Sequence, residues 1–204
     1  MLAFMPSAST APTSQRPGAL QVHHSGDASR PAVEAFIAAV YRQRYGAEVR
    51  AFAPTLVSLR DADGETVAAA GYRSAADGPL FLERYLGTAV DRPLAAARTE
   101  IVEVGHLAAT RAGEGRRLIT RLGPHLAALD FRWVVGTLTE ELRHLFLRLG
   151  IAPQALGVAD PALLGDAAAA WGSYYDHRPV VLAGALAPAL QVLARRGEMG
   201  RGVA

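Results

Sequence analysis

The chain contains no cysteine, which excludes disulfides, thiol nucleophiles and cysteine-ligated metal centres. It has no apolar stretch approaching the roughly 20 residues a membrane helix needs. Charge of either sign is scarce in excess: 21 basic and 19 acidic side chains leave a formal net charge of +2, so composition demands no nucleic-acid partner. The opening residues Met1 to Met5 carry no positive charge and Pro6 breaks their apolar run, against a secretory signal. These absences point to a cytoplasmic protein without stable membrane insertion. A length of 204 residues, half of them hydrophobic, suits one well-buried domain with tails and is short for two.

Residues 1–30 are rich in Ser, Thr, Pro and Ala without periodicity and read as a flexible arm. Helical spacing then links Val33, Phe36, Ile37, Val40 and Tyr41, with Gly46 placed to stop the helix. Strands are expected at Thr55–Arg60 and Thr66–Arg73, joined by the hairpin signal Asp61 to Gly64. A further strand is expected over Pro79–Leu86 and another over Glu100–Ala108. A helix follows from Glu114 to Leu129, bent at Pro124, then a strand Arg132–Leu138 and a helix Thr139–Leu149 stopped by Gly150. A proline-containing loop leads to the aromatic segment Trp171–Tyr175, a strand at Val180–Ala183 and an Ala/Leu helix. The expected domain spans 31–196, with 197–204 a frayed tail. Its class is α/β (α+β), a mixed, mainly antiparallel sheet flanked by helices on both faces.

The chemistry concentrates between Glu100 and Arg117, EIVEVGHLAATRAGEGRR. A strand runs into a loop holding Gly113 and Gly115, and Arg116 and Arg117 open a helix. Converging amides and a helix dipole make such a junction a seat for phosphate. Glu103, on the strand just upstream, is the candidate general base, because partial desolvation raises a carboxyl toward that task. Glu100 lies an odd offset away and so on the opposite strand face. His106 either faces an acceptor or is a satisfied polar residue. Ser173, Asp176 and His177 have the residue types of a hydrolytic triad, but three near neighbours converge poorly. His23 and His24 fall in the expected arm, and no metal site is anticipated.

The loop TRAGEG, Thr110 to Gly115, resembles the pyrophosphate loop of GNAT acyltransferases, with Thr110 in place of the usual Gln or Arg. LFLRLGI, Leu145 to Ile151, is similar to that superfamily's second signature, with Phe146 at the position of a tyrosine that protonates the leaving thiolate. EVGHLA (Glu103 to Ala108) and FLERYL (Phe81 to Leu86) resemble segments of acyl-homoserine lactone synthases, although Gly105 and His106 depart from their Ser-Arg pair. Over Val33 to Ala183, PLFLERYL, EVGHLA and WGSYYDH resemble the bacterial family called thermostable hemolysin.

The resemblance implies a GNAT-like fold and transfer of an acyl group from acyl-CoA or an acyl-phosphopantetheine carrier to a small-molecule amine. It implies that the strand Glu103–Ala108 holds the pantetheine arm, that amides near Leu107 and Ala108 face the oxyanion, and that Arg111, Gly113, Gly115, Arg116 and Arg117 hold the phosphate. Glu83, Arg84 and Tyr85 are read as shaping an acceptor pocket, Trp171, Tyr174 and Tyr175 as closing a core edge or lining an acyl groove, and Glu100 completes the expected substrate-binding set. An acyl carrier protein is a candidate partner for the arginine rim, which equally suits a CoA phosphate, and a homodimer is compatible with the sequence. Two alternatives stand beside the transferase: a degenerate binding module, favoured by Phe146 and Thr110, and the membrane-active protein of the family's name.

Overall fold

The computed structural model describes residues 18–201; residues 1–17 of the expected arm and 202–204 of the expected tail lie outside them. Seven strands form one sheet in the order β1-β2-β3-β4-β5-β7-β6. They are β1 (Gln21–His23), β2 (Thr55–Arg60), β3 (Thr66–Ser74), β4 (Ile101–Ala109), β5 (Trp133–Leu138), β6 (Gln154–Val158) and β7 (Val180–Ala185). Every pairing is antiparallel except β4 with β5, so the mixed, mainly antiparallel sheet expected from sequence is present.

Helix α1 (Arg30–Tyr45) buries Val33, Ile37 and Tyr41, which a four-residue spacing places on one face. That stripe packs on Leu56, Ala69 and Ala108. Helix α4 (Glu114–Ala127) buries Leu118, Ile119, Leu122 and Leu126 and runs without interruption through Pro124. Its stripe packs on the other face, against Val57, Leu59, Ala68 and Ala70. Because neighbouring residues of β2 and β3 point to opposite faces, these two strands are buried on both sides. The Asp61–Gly64 turn forms as expected: Asp61 Oδ1 accepts from the amides of Asp63 and Glu65.

Four segments differ from the sequence expectation. Gln21–His23, placed in the flexible arm, pairs with β2. It is pinned there by His23, whose ring nitrogens meet Ser29 Oγ at 2.8 Å and Ser58 Oγ at 2.9 Å. The run 79–86 is a turn followed by the one-turn helix α2 (Glu83–Leu86), not a strand. There the Glu83 carboxylate accepts from the Leu80 amide at 2.8 Å and curls the chain. A second one-turn helix, α3 (Asp91–Leu94), follows. Gln154–Val158, expected in a loop, is the exposed edge strand β6. Finally, α6 (Leu186–Arg201) continues past residue 196.

Helix α5 (Glu140–Arg148) matches its expected span closely. The aromatic segment lies in a 3-10 stretch, Pro161–His177, kinked at Gly165 and Gly172. A Cβ at Gly172 would lie 2.0 Å from the Tyr45 carbonyl oxygen, so only glycine lets this stretch close onto the end of α1.

Candidate active site

The site is built where β4 leaves β5. Their parallel pairing lasts three rungs, Ile101–Trp133, Val102–Val134 and Glu103–Val135. Beyond these β4 continues with β3 and β5 with β7, and a cleft opens between the strands. Gly136 sits at its apex. A Cβ there would come within 2.6 Å of the Val104 carbonyl oxygen, so any side chain would force the two strands apart.

At the same level β4 bulges. Gly71 pairs with Gly105 and Ala69 with Ala108, so His106 and Leu107 together oppose Ala70. His106 takes the bulge's left-handed conformation, φ 54°, in which His is one of the few tolerated side-chain residues. Bulges re-aim side chains and free backbone groups from the ladder. Here the His106 ring turns toward Phe52 and Tyr41, 5.6 Å and 6.4 Å between centroids.

Two hollows flank the cleft and share Val104. The larger, about 400 Å³, is walled by Tyr41, Phe52, Phe81, Tyr85, Trp171 and Tyr174, with Arg73, Glu103 and His106 at its base. The smaller, about 100 Å³, is lined almost wholly by apolar side chains, among them Leu107, Ile119, Leu122, Phe146, Ile151 and Leu190. It lies between β4, β5, α4, α5 and α6.

Glu103 projects into the larger hollow with its carboxylate already oriented. Its Oε2 accepts from the Phe81 amide at 3.0 Å and its Oε1 from the Leu82 amide at 2.9 Å. Burial pushes its pKa above the ordinary carboxylate range, against the pull of those amides and of Arg73. Burial also lowers the His106 imidazole to about 4, partly offset by the Ala51 backbone. The ring is therefore neutral at pH 7. Its Nδ1 is enclosed and has no hydrogen-bond partner among the described residues.

The remaining expected residues divide. Tyr85, Trp171 and Tyr174 line the larger hollow with Glu103 and His106. Tyr175 stands behind Tyr85, their hydroxyls 2.7 Å apart, and the Tyr174 hydroxyl donates to the Thr137 carbonyl at 3.1 Å. Glu83 is turned away: it accepts from the Leu80 and Val90 amides and pairs with Arg98 at 2.6 Å. Glu100 pairs with Arg132 at 3.2 Å, at the foot of β4. Ser173 donates to the Tyr45 carbonyl while His177 meets Glu141, so no triad assembles.

The glycine loop ends β4 beside the cleft. Gly113 caps α4 with φ 88° and no side chain bonds the helix's first amides, which leaves that end open to an anion. Arg111 is paired with Asp61 and Arg117 with Glu114, both at 3.0 Å. Arg116 is exposed, and no ion pair engages it among the described residues. Gly115 lies over Ala109 and Leu145. Phe52, Arg73 and Thr137 also line the hollow, with Tyr41, which the helical spacing marks only as part of a buried stripe. Arg73 had a signal, since it ends a strand that must pair with the Glu103 strand, but the register decides which residue it faces. No cluster of metal-ligating side chains occurs among the described residues, and no described helix is long and apolar enough to cross a membrane.

Residues 23–190 match the family described as thermostable hemolysin. No curated protein matches the sequence. Among solved structures the chain is similar to TofI in an apo form, with 20% identity, 86% of this chain and 95% of that chain covered, and a TM-score of 0.61. It is similar to MesI, a CoA-dependent acyl-homoserine lactone synthase, with 16% identity, 87% and 94% covered, and a TM-score of 0.59. It is also similar to FeeM, an N-acyl amino acid synthase from uncultured soil microbes, with 15% identity, 82% and 94% covered, and a TM-score of 0.53. At these identities the likeness establishes the fold, which is GNAT-like.

Proposed function

The chain belongs to the thermostable hemolysin family, and from the fold and the two-sided cleft we propose that it is an N-acyltransferase using a phosphopantetheine thioester, on CoA or an acyl carrier protein, and an amine. The observation that carries this reading is the cleft at Val104, which joins an apolar hollow to an acid-floored one beside an uncapped helix N-terminus. An acyl chain fits the first, an amine the second, and phosphate the third.

In this reading the pantetheine arm lies along β4, whose polar groups directed toward β5 beyond Glu103 have no strand partner there and so are free to bond an amide-bearing ligand. The amine nitrogen attacks the thioester carbonyl from the aromatic hollow. As the C–N bond forms, Glu103 accepts the nitrogen's proton. The Leu107 amide, in the bulge, and the backbone leading to Ala108 face the oxyanion. The C–S bond then breaks and the thiolate takes a proton. Phe146 offers none, whereas the Tyr174 hydroxyl sits at Thr137, on the β5 edge of the cleft. Burial holds Tyr174 far above its ordinary pKa, which keeps it protonated but makes it a weak acid, so its part is a hydrogen bond to the departing sulfur while solvent supplies the proton. Arg116, with the amides of Gly113 and Gly115, holds the donor's phosphate.

Calorimetry of the purified protein against CoA, a short and a long acyl-CoA and an acyl-carrier protein tests the donor site, with thiol release measured in parallel. Saturable binding of one thioester, weakened by Arg116→Ala, together with amine-dependent thiol release lost in Glu103→Gln, is the expected result. The chain has no lysine, so acyl groups cannot collect on its own ε-amino groups and confuse the count. Binding without turnover by any amine would favour a binding module. Binding of no thioester would overturn the reading.

A further inference from the structure

We propose that the amine admitted to the aromatic hollow is the α-amino group of a free amino acid whose carboxylate is held by Arg73. The inference rests on reading that hollow as the acceptor site. Arg73 and Glu103 are direct partners across β3 and β4, which puts them on one face with Cβ atoms about 5 Å apart. Both line the hollow and the Arg73 charge reaches Glu103, yet no ion-pair contact forms between them or with any other described residue. Glu103 is held by two backbone amides instead. Arg73 makes one long bond, 3.3 Å, to the Pro79 carbonyl, leaving most of its guanidinium donors unused.

Opposite charges fixed side by side but unpaired form a socket for a ligand that carries both signs on one carbon. The ammonium of a zwitterion falls to Glu103, which takes one proton from it to free the attacking lone pair, passes that proton to solvent, and accepts the second as the C–N bond forms. Its carboxylate falls to Arg73, whose forked donors match a carboxylate. The other charged side chains on the lining, Glu48 and Arg50, satisfy each other at 2.8 Å and are 65% and 76% exposed, so they stand at the rim. What remains around the socket is aromatic, chiefly Tyr41, Phe52, Phe81 and Trp171, which suits an apolar or aromatic side chain. A simple alkylamine or an amino-acid ester would enter the same space but leave Arg73 desolvated without a partner. Loss of one charge-assisted bond of that kind corresponds to about a 10- to 100-fold loss of affinity.

The test is calorimetry with L-phenylalanine and L-leucine, their methyl esters, and phenethylamine and isoamylamine, extended to all twenty amino acids. The expected result is that at least one free amino acid binds about 10- to 100-fold more tightly than its ester or decarboxylated amine. Arg73→Gln should erase that preference, so that acid, ester and amine bind equally in the variant, and Arg73→Lys should restore part of it, a pattern that a purely structural arginine would not give. Equal binding of acid, ester and amine, or binding of no amino acid, overturns the proposal. Thiol release separates the two readings. If phenethylamine is acylated and amino acids are not, the transferase stands and this inference falls. If an amino acid binds through Arg73 but no thioester turns over, the carboxylate seat stands and the transferase falls.

Discussion

Protonation of His106 should destabilise the fold in a pH window set by its enclosure. Burial lowers the imidazole to about 4 in the folded protein, against an ordinary 6.5. A lowered histidine pKa means that the unfolded chain gains a proton the folded chain refuses. Stability is thus fully present above the unfolded pKa and is lost as pH falls through the folded one. Linkage across that interval gives about 2 kcal/mol lost at pH 5 and about 3 kcal/mol at pH 4. Partial exposure of the ring to the hollow screens this, so about 2 kcal/mol at pH 4 is the working figure. His23 and His125 are lowered too, chiefly by burial, so the wild-type curve alone does not isolate one residue. His106→Asn does, because Asn accepts the left-handed bulge position and does not titrate. Urea midpoints of both proteins from pH 7 to pH 4 should diverge, with the variant losing about 2 kcal/mol less at the acid end. Parallel curves would refute the reasoning and show that the ring accepts a proton in the folded state.

Tyr174→Phe should slow transfer from an alkyl thioester about 10-fold yet leave an aryl thioester, whose thiolate carries less charge on departure, nearly unaffected; equal slowing of both would remove Tyr174 from a role at the sulfur. Gly136→Ala should destabilise by about 2 kcal/mol, because the new methyl meets the Val104 carbonyl at 2.6 Å; a denaturant midpoint within error of wild type would contradict the packing at the cleft's apex. Glu83→Gln should cost about 2 kcal/mol, since it strips the charge that meets Arg98 and two amides, and a loss of only a few tenths would mean that the network is solvent-screened.

Elements whose signal is local were readable. The Asp61–Gly64 turn, the stripe of α4 and the strands 55–60, 66–74 and 101–109 all follow from spacing within the segment, and with them most of the fold. Elements defined by a distant partner were not. β1 is three residues long and held by Ser29 and Ser58, too short for any period. The 79–86 run has a strand's composition, but Glu83 reaches back to the Leu80 amide and bends it. β6 is an edge strand with little burial, so it lacks an inward-facing pattern. The same rule divides the site. Glu103 and the glycine loop announce themselves along the chain, whereas Arg73, Phe52 and Tyr41 reach the hollow only through the β3–β4 register and the packing of α1. The left-handed twist at His106 depends on a bulge that no single segment encodes.

The placement of β7 between β5 and β6 also sets an order of assembly. Strand β6 is finished at residue 158, but the neighbour it bonds to is residues 180–185, so it must wait for 22 further residues of chain before it can dock at all. Until then the far edge of β5 is equally bare, and the cleft has only one of its two walls secured. A ribosome-bound chain that has completed β4, the glycine loop and α4 therefore holds half a binding site. Strand β7, made after both, joins β5 and β6 together, so the second wall closes in a single event that waits on the intervening 3-10 stretch.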